Sequence, residues 1–285
     1  MRGLKSIRAM GRDRFFAALR MTERALRMTE RALRMTAFIF AIASCSVKED
    51  RSDCPCWLTV DLSETNGAYV QLKAWCPAPV FSESIPRSQL DDFHEYRVPR
   101  GQVQLSAYRE MPGLFLEGEV LSITEGSQMD SLFAGSTLVN TDAEFAYETI
   151  RLHKNFSTVS VIFKDDENGR PADCRLDVSG TVAGIDVQTL APVPGRFSCM
   201  AEQPQEGGFA FRVPRQMDTT LNASLYSREG GLLESYPVGW LIQQAGFDWN
   251  RTDLSDVEIL VDTPTASFTI TVKEWDGPVS FSVTI

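Results

Sequence analysis

The chain has only two histidines among 285 residues, His94 and His153. Both sit in strand-like stretches with no nucleophile motif beside them. GxSxG, HExxH, phosphate-loop and GxGxxG patterns are also missing, which removes the hydrolase, metalloprotease and nucleotide-binding readings that rest on them. No apolar run approaches the ~20 residues that a membrane-spanning helix needs. Positive charge is scarce past the leader. Of 28 basic and 38 acidic residues, 10 and 3 precede Cys45, which leaves 18 and 35 and a net charge of −17 for the rest. Such a surface repels phosphate backbones and anionic headgroups, so nucleic acid is excluded as a partner.

What is present begins with a short apolar run, MTAFIFAIAS, that ends at Cys45 and is followed at once by charges. Ile42, Ala43 and Ser44 place an aliphatic and two small side chains directly before the cysteine. A bacterial lipoprotein signal peptidase accepts that pattern, and the Cys45 thiol then takes diacylglycerol. The expectation is a lipid-anchored exported protein whose residues 1–44 are a removable leader. Several acyl chains on one cysteine make such anchoring stable. Within the leader, residues 21–34 are two copies of MTERALR. These give an Arg-rich stripe without a hydrophobic seam, so a coiled coil is not expected. Lys48, Glu49 and Asp50, just past the anchor, resemble the surface-export signal of lipoproteins from Bacteroidales.

From Cys45 onward, 241 residues suit two ordinary domains, placed at 45–150 and 151–285. Period-two alternation dominates: Leu58, Val60, Leu62; Val70, Leu72, Ala74; Val103, Leu105, Ala107; Val159, Val161, Phe163; Phe209, Phe211; Ile259, Val261; Phe268, Ile270, Val272; Phe281, Val283, Ile285. Turn residues at short intervals make this an all-β chain of antiparallel sandwiches. Only the stretches near 127–135 and 240–246 suit a helical turn. Two hairpins are expected. One turns at Asn168-Gly169. The other pairs residues 58–62 with 70–74 through a Thr65-Asn66-Gly67 loop, partners summing to 132.

That register sets Cys56 opposite Cys76 and suggests a disulfide, with Cys54–Cys76 as the alternative; Cys174 and Cys199 then pair by elimination. A metal clip at Cys54-Pro55-Cys56 lacks a second ligand pair. Asp165-Asp166-Glu167-Asn168-Gly169 lacks the alternating ligands of a calcium loop, and Asp91-Asp92 lacks the second acid of a glycosidase. Trp75, Trp240, Trp249 and Trp275 would form a sugar platform if exposed on one face; burial in the cores is the default. No catalytic residue, metal or cofactor is expected.

CSVKEDRSDCPCWLTVDL at residues 45–62 resembles the start of the fimbrial anchor lipoproteins of Bacteroidales, the basal subunits of type V pili. The C-terminal YPVGWLIQQAGFDWNRTDLSDVEILVDTPTASFTITVKEWD is similar to that family's closing signature, with Phe247-Asp248-Trp249, Leu254-Ser255-Asp256 and Glu274-Trp275-Asp276 in order. The resemblance implies two transthyretin-like (Ig-like) β-sandwiches in tandem. It also implies a non-enzymatic subunit that ties a pilus to the outer membrane, ends it at the base, and meets shaft subunits by strand complementation. Two other readings are kept: a surface glycan-binding lipoprotein of a nutrient-uptake system, and a pilus tip or shaft subunit. The final strand, 279–285, alternates to its end without a charged tail and is expected to be the exchange-competent element or to border it.

Overall fold

The computed structural model describes residues 54–109, 111–164, 174–202, 208–262, 267–274 and 277–284. The first half contributes β1 (Cys56–Asp61), β2 (Tyr69–Cys76), β3 (Ala78–Pro86), β4 (Phe93–Val98), β5 (Gln102–Arg109), β6 (Leu114–Glu117), β7 (Val120–Ile123), β8 (Phe133–Asn140) and β9 (Phe145–Thr149). Next come β10 (His153–Lys154), β11 (Phe156–Phe163), β12 (Cys174–Asp186), β13 (Pro192–Met200), β14 (Gly208–Pro214), β15 (Asn222–Ser227) and β16 (Leu232–Tyr236). Helix α1 (Val238–Gln244), β17 (Asp256–Asp262), β18 (Ser267–Glu274) and β19 (Gly277–Thr284) complete the order.

In the first sandwich a three-stranded sheet, β4-β1-β9, faces a five-stranded sheet, β10-β8-β5-β2-β3. The alternating residues meet between them: Leu58, Val60, Leu62, Val70, Leu72, Val103 and Leu105 are wholly buried in one cluster. In the second, β14-β11-β17-β18-β19 faces a six-stranded sheet of order β16-β15-β12-β7-β6, with β13 also on β12. Phe209 and Phe211 are the largest fully buried side chains there. Helix α1 closes this core with Val238, Leu241 and Ile242. It sits so near the preceding segment that a Cβ on Gly239 would lie 2.7 Å from the Thr219 carbonyl oxygen.

The two sandwiches repeat one topology. In the first, β1 pairs antiparallel with β4 and parallel with β9. In the second, β11 pairs antiparallel with β14 and parallel with β17. Likewise β2 lies between β3 and β5 as β12 lies between β13 and β15, and β5–β8 matches β15–β16. Two hairpins stand outside the repeat. One, β6–β7, leaves the first half to pair with β12. The other, β18–β19, extends the sheet beyond β17. Strand β10 in turn pairs back onto β8, so pairing crosses position 150 in both directions. A third cluster, with Trp75, Tyr108, Leu121, Met129, Phe156 and Ile185, fills the junction.

Two expected hairpins do not form. β1 does not pair with β2, and β11 does not pair with β12; each first strand crosses to the opposite sheet. Both strands of each pair still turn their apolar faces to one core, which is why alternation alone suggested direct pairing. Residues 238–244 form the expected short helix, whereas 127–132 are irregular and 133–140 are strand.

Candidate docking edge and placement of the predicted residues

The C-terminal hairpin is built on strong alternation. Val257, Ile259 and Val261 of β17 lie opposite Val272, Ile270 and Phe268 of β18, and all six are buried. β18 then sets Phe268, Ile270 and Val272 opposite Val283, Phe281 and Val279 of β19. On the outer face Thr271 Oγ1 lies 3.0 Å from Ser280 Oγ, and Lys273 pairs with Glu258 at 2.8 Å. Among the described residues β19 is the last strand of its sheet, so one row of its backbone N–H and C=O groups has no ladder partner among them. Apart from Pro278 near its start, the strand carries neither charge nor proline to blunt that edge.

The segment before β17 is clasped to the start of β11. Asp253 Oδ1 accepts a hydrogen bond from the Lys154 amide at 2.7 Å, and its Oδ2 lies 2.9 Å from His153 Nδ1. Asp256 Oδ1 accepts from Lys154 Nζ at 2.6 Å and from the Thr158 amide at 2.7 Å. Ser157 Oγ donates to the Ser255 carbonyl at 2.8 Å, and the rings of Phe247 and Trp249 meet edge-on at 4.6 Å. Burial pushes the Asp253 carboxyl upward, but the Lys154 amide, His153 and nearby charge outweigh it and hold the group below its ordinary range. These contacts give Phe247-Asp248-Trp249 and Leu254-Ser255-Asp256 a structural role, and they make His153 a clasp residue. His94 Nε2 lies 3.1 Å from the Gln89 carbonyl oxygen, with no nucleophile in the contact.

Residues Ile42, Ala43, Ser44, Cys45, Lys48, Glu49 and Asp50, the tip at 165–169 and Trp275 lie outside the described residues. None of the five cysteines from Cys54 onward is bonded to another, and the hairpin register that suggested Cys56–Cys76 does not form. Cys56 lies opposite Val98 in one sheet, while Cys76 lies opposite Ala78 in the other. Cys199 pairs with Val178, four residues along β12 from Cys174. At ~3.3 Å per residue that is ~13 Å, beyond the ~7 Å a disulfide spans between Cα atoms. Burial, aided by the charge of Asp177, pushes the Cys199 thiol up to about 12. Among the described residues no three His, Cys, Asp or Glu side chains converge as metal ligands.

The alternative to burial, a tryptophan platform on one exposed face, does not assemble among the described Trp75, Trp240 and Trp249. Trp75 is buried, Trp249 is packed against the second core, and Trp240 is exposed on α1. Sequence reading passed over Trp57, the exposed tryptophan of β1. The signal was there, since Trp57 is out of phase with inward Leu58 and Val60. A cleft of about 300 Å³ beside the junction is lined by Gln71, Lys73, Arg109 and Leu114 among others. Its lysine lies 4.0 Å from Glu119.

At the level of sequence, no family model and no curated protein matches the chain. Solved structures do. The fimbrial anchor protein Mfa2 from Porphyromonas gingivalis superposes with a TM-score of 0.54 at 12% identity, covering 78% of this chain and 98% of its own. The chain has the fold of that fimbrial anchor. It is somewhat more similar to a Bacteroides thetaiotaomicron protein described as a candidate for polysaccharide binding, at TM-score 0.58 and 15% identity over 81% of this chain and 98% of that one. A candidate adhesin from Bacteroides ovatus matches at TM-score 0.55 and 9% identity over 83% and 97%. The fold shared with Mfa2 is therefore all-β, two sandwiches in tandem, and at these identities the likeness concerns fold.

Proposed function

We propose that the chain is a non-enzymatic fimbrial subunit, lipid-anchored through Cys45 on the outside of the outer membrane, that holds a pilus and ends it at its base. The observation that carries this reading is the C-terminal hairpin. It is added beyond the repeated unit of the second sandwich, and its last strand leaves an unblunted backbone edge. A shaft subunit docks there by adding or exchanging a strand, where backbone hydrogen bonds supply affinity and alternate side chains fix the register. The shared fold with a fimbrial anchor supports the reading. So does the lipoprotein-type pattern Ile42-Ala43-Ser44-Cys45, since a lipid on Cys45 would tether the end of the chain opposite the hairpin to the membrane.

The test is deletion of residues 279–285. The truncated protein keeps β1–β18 and loses association with the shaft subunit, measured by co-isolation of the two from outer membranes. Normal association of the truncated protein would overturn the C-terminal docking site.

A further inference from the structure

The outer face of the three-stranded sheet of the first sandwich is a second surface that the pilus reading does not use. Its strands are in register as a three-by-three grid. One row is Arg97, Trp57 and Phe145; the next is Glu95, Thr59 and Tyr147; the third is Phe93, Asp61 and Thr149. With strands ~4.8 Å apart and a ~6.6 Å step between same-face residues, the grid covers about 10 by 13 Å. Four of its nine residues are aromatic, and all four are turned to solvent: Trp57 46%, Phe93 52%, Phe145 48% and Tyr147 56% exposed. Grouped exposed rings on one sheet face mark an interaction site, because folding alone gains nothing from them.

Polar groups are interleaved with the rings and already ordered. Tyr147 Oη donates to Asp61 Oδ2 at 2.7 Å, and Thr149 Oγ1 reaches Tyr147 Oη at 3.4 Å. The Ser63 amide holds Asp61 Oδ1 at 2.9 Å. Burial raises the Asp61 carboxyl, but the Ser63 and Tyr147 hydrogen bonds prevail and leave it below its ordinary range, so it is an ionised acceptor at neutral pH. Tyr147 and Phe93 meet edge-on at 6.1 Å, which fixes the tyrosine ring beside the carboxylate.

We propose that this face binds a neutral polysaccharide, with Trp57, Phe145 and Tyr147 stacking on sugar rings and Asp61 accepting hydrogen bonds from their hydroxyls. A pyranose has an apolar C–H face and a rim of hydroxyls, and this grid offers each its complement: π-faces for the first, an oriented carboxylate for the second. Three observations tell against other occupants. Glu95, Asp61 and the acidic chain as a whole repel an anionic bilayer. Glu148, on the inward side of edge strand β9 with its carboxyl raised by burial, disfavours an added strand at that edge. The face also carries an ordered hydrogen-bonding group in two of its three rows, including an ionised carboxylate that a purely apolar protein contact would desolvate.

The test uses the full chain carrying Cys45→Ala, in native gels containing starch, yeast mannan, laminarin or xyloglucan. The wild-type face retards migration in at least one gel. Trp57→Ala and Tyr147→Ala each weaken that retardation by about tenfold or more, the scale of one lost stacking contact, and Trp57→Phe keeps most of it. All variants keep the parent's circular dichroism spectrum, and Tyr147→Phe, which loses the Asp61 hydrogen bond but keeps the ring, retains most of the retardation. Migration unaffected by all four polysaccharides would overturn the proposal, and so would retardation insensitive to Trp57→Ala. Loss of adsorption to phosphatidylglycerol vesicles in Trp57→Ala, without any polysaccharide binding, would reassign the face to membrane contact. No fimbriae enter the assay, so its failure leaves the pilus reading standing.

Discussion

Gly184→Ala is the most informative single change to the scaffold. Gly184 lies in β12 opposite Ser122 of β7, the point where the first half's hairpin joins the second half's sheet. A Cβ there would sit 2.6 Å from the Leu121 carbonyl oxygen and 3.1 Å from Val120 Cγ1. The nearest atom is backbone, so no side-chain rotation relieves the clash; β7 must move off β12. Leu121 belongs to the junction cluster with Trp75, Tyr108 and Ile185, and the displacement therefore also loosens the contact between the sandwiches. Overpacking of this kind costs ~1–3 kcal/mol. At this chain length that corresponds to a melting point lowered by about 2–12 °C. Thermal melting followed by circular dichroism reads the total, and hydrogen exchange by mass spectrometry locates it. Amides of residues 114–123 should exchange faster while those of β1 and β4 stay protected. A variant as stable as the parent, with residues 114–123 equally protected, would refute the close pairing of β7 on β12.

Three further outcomes follow from the same contacts. In native protein freed of its leader, a thiol reagent should titrate exposed Cys54 rapidly and leave Cys56, Cys174 and Cys199 untouched until unfolding. Denatured without reductant, Cys54, Cys56, Cys76, Cys174 and Cys199 should all react, and a smaller count would mean a disulfide. Asp253→Asn should lower the melting point at pH 7, because the folded carboxyl is held below its unfolded value. That contribution is full above the unfolded carboxylate range of about 4 and is lost as pH falls through the folded value, which lies below it, so the gap between parent and variant in parallel melts should close as the pH is lowered past that range. Cys45→Ala should move the protein from the membrane fraction to the soluble one; mass spectrometry of the parent should find a lipidated peptide beginning at Cys45.

The faces of strands were legible in the sequence because alternation is a local property: Leu58, Val60, Leu72, Val103, Phe209 and Ile270 are all buried as their period requires. Partners were not legible. The loops after β1 and β11 suit a hairpin turn as well as an arch between sheets, and both choices point the same residues inward. The same ambiguity misled the disulfide assignment, which depended on the hairpin register. Parallel pairing of β1 with β9 and of β11 with β17 was hidden for a related reason, since the partners lie far apart in the chain. At the candidate sites, the alternating C-terminal strand announced itself. The aromatic grid did not, because Phe93, Phe145 and Trp57 come from three separated strands that only the register brings together.

The central claim is that this subunit sits where the fibre meets the outer membrane. Immunogold labelling of fimbriae sheared from cells, with antibody to the second sandwich, tests it most directly. The account predicts label at one end of the fibre only, and on the membrane when Cys45 is intact and fibres are absent. Label repeated along the shaft, or confined to the end distal to the cell on fibres still attached, would contradict it.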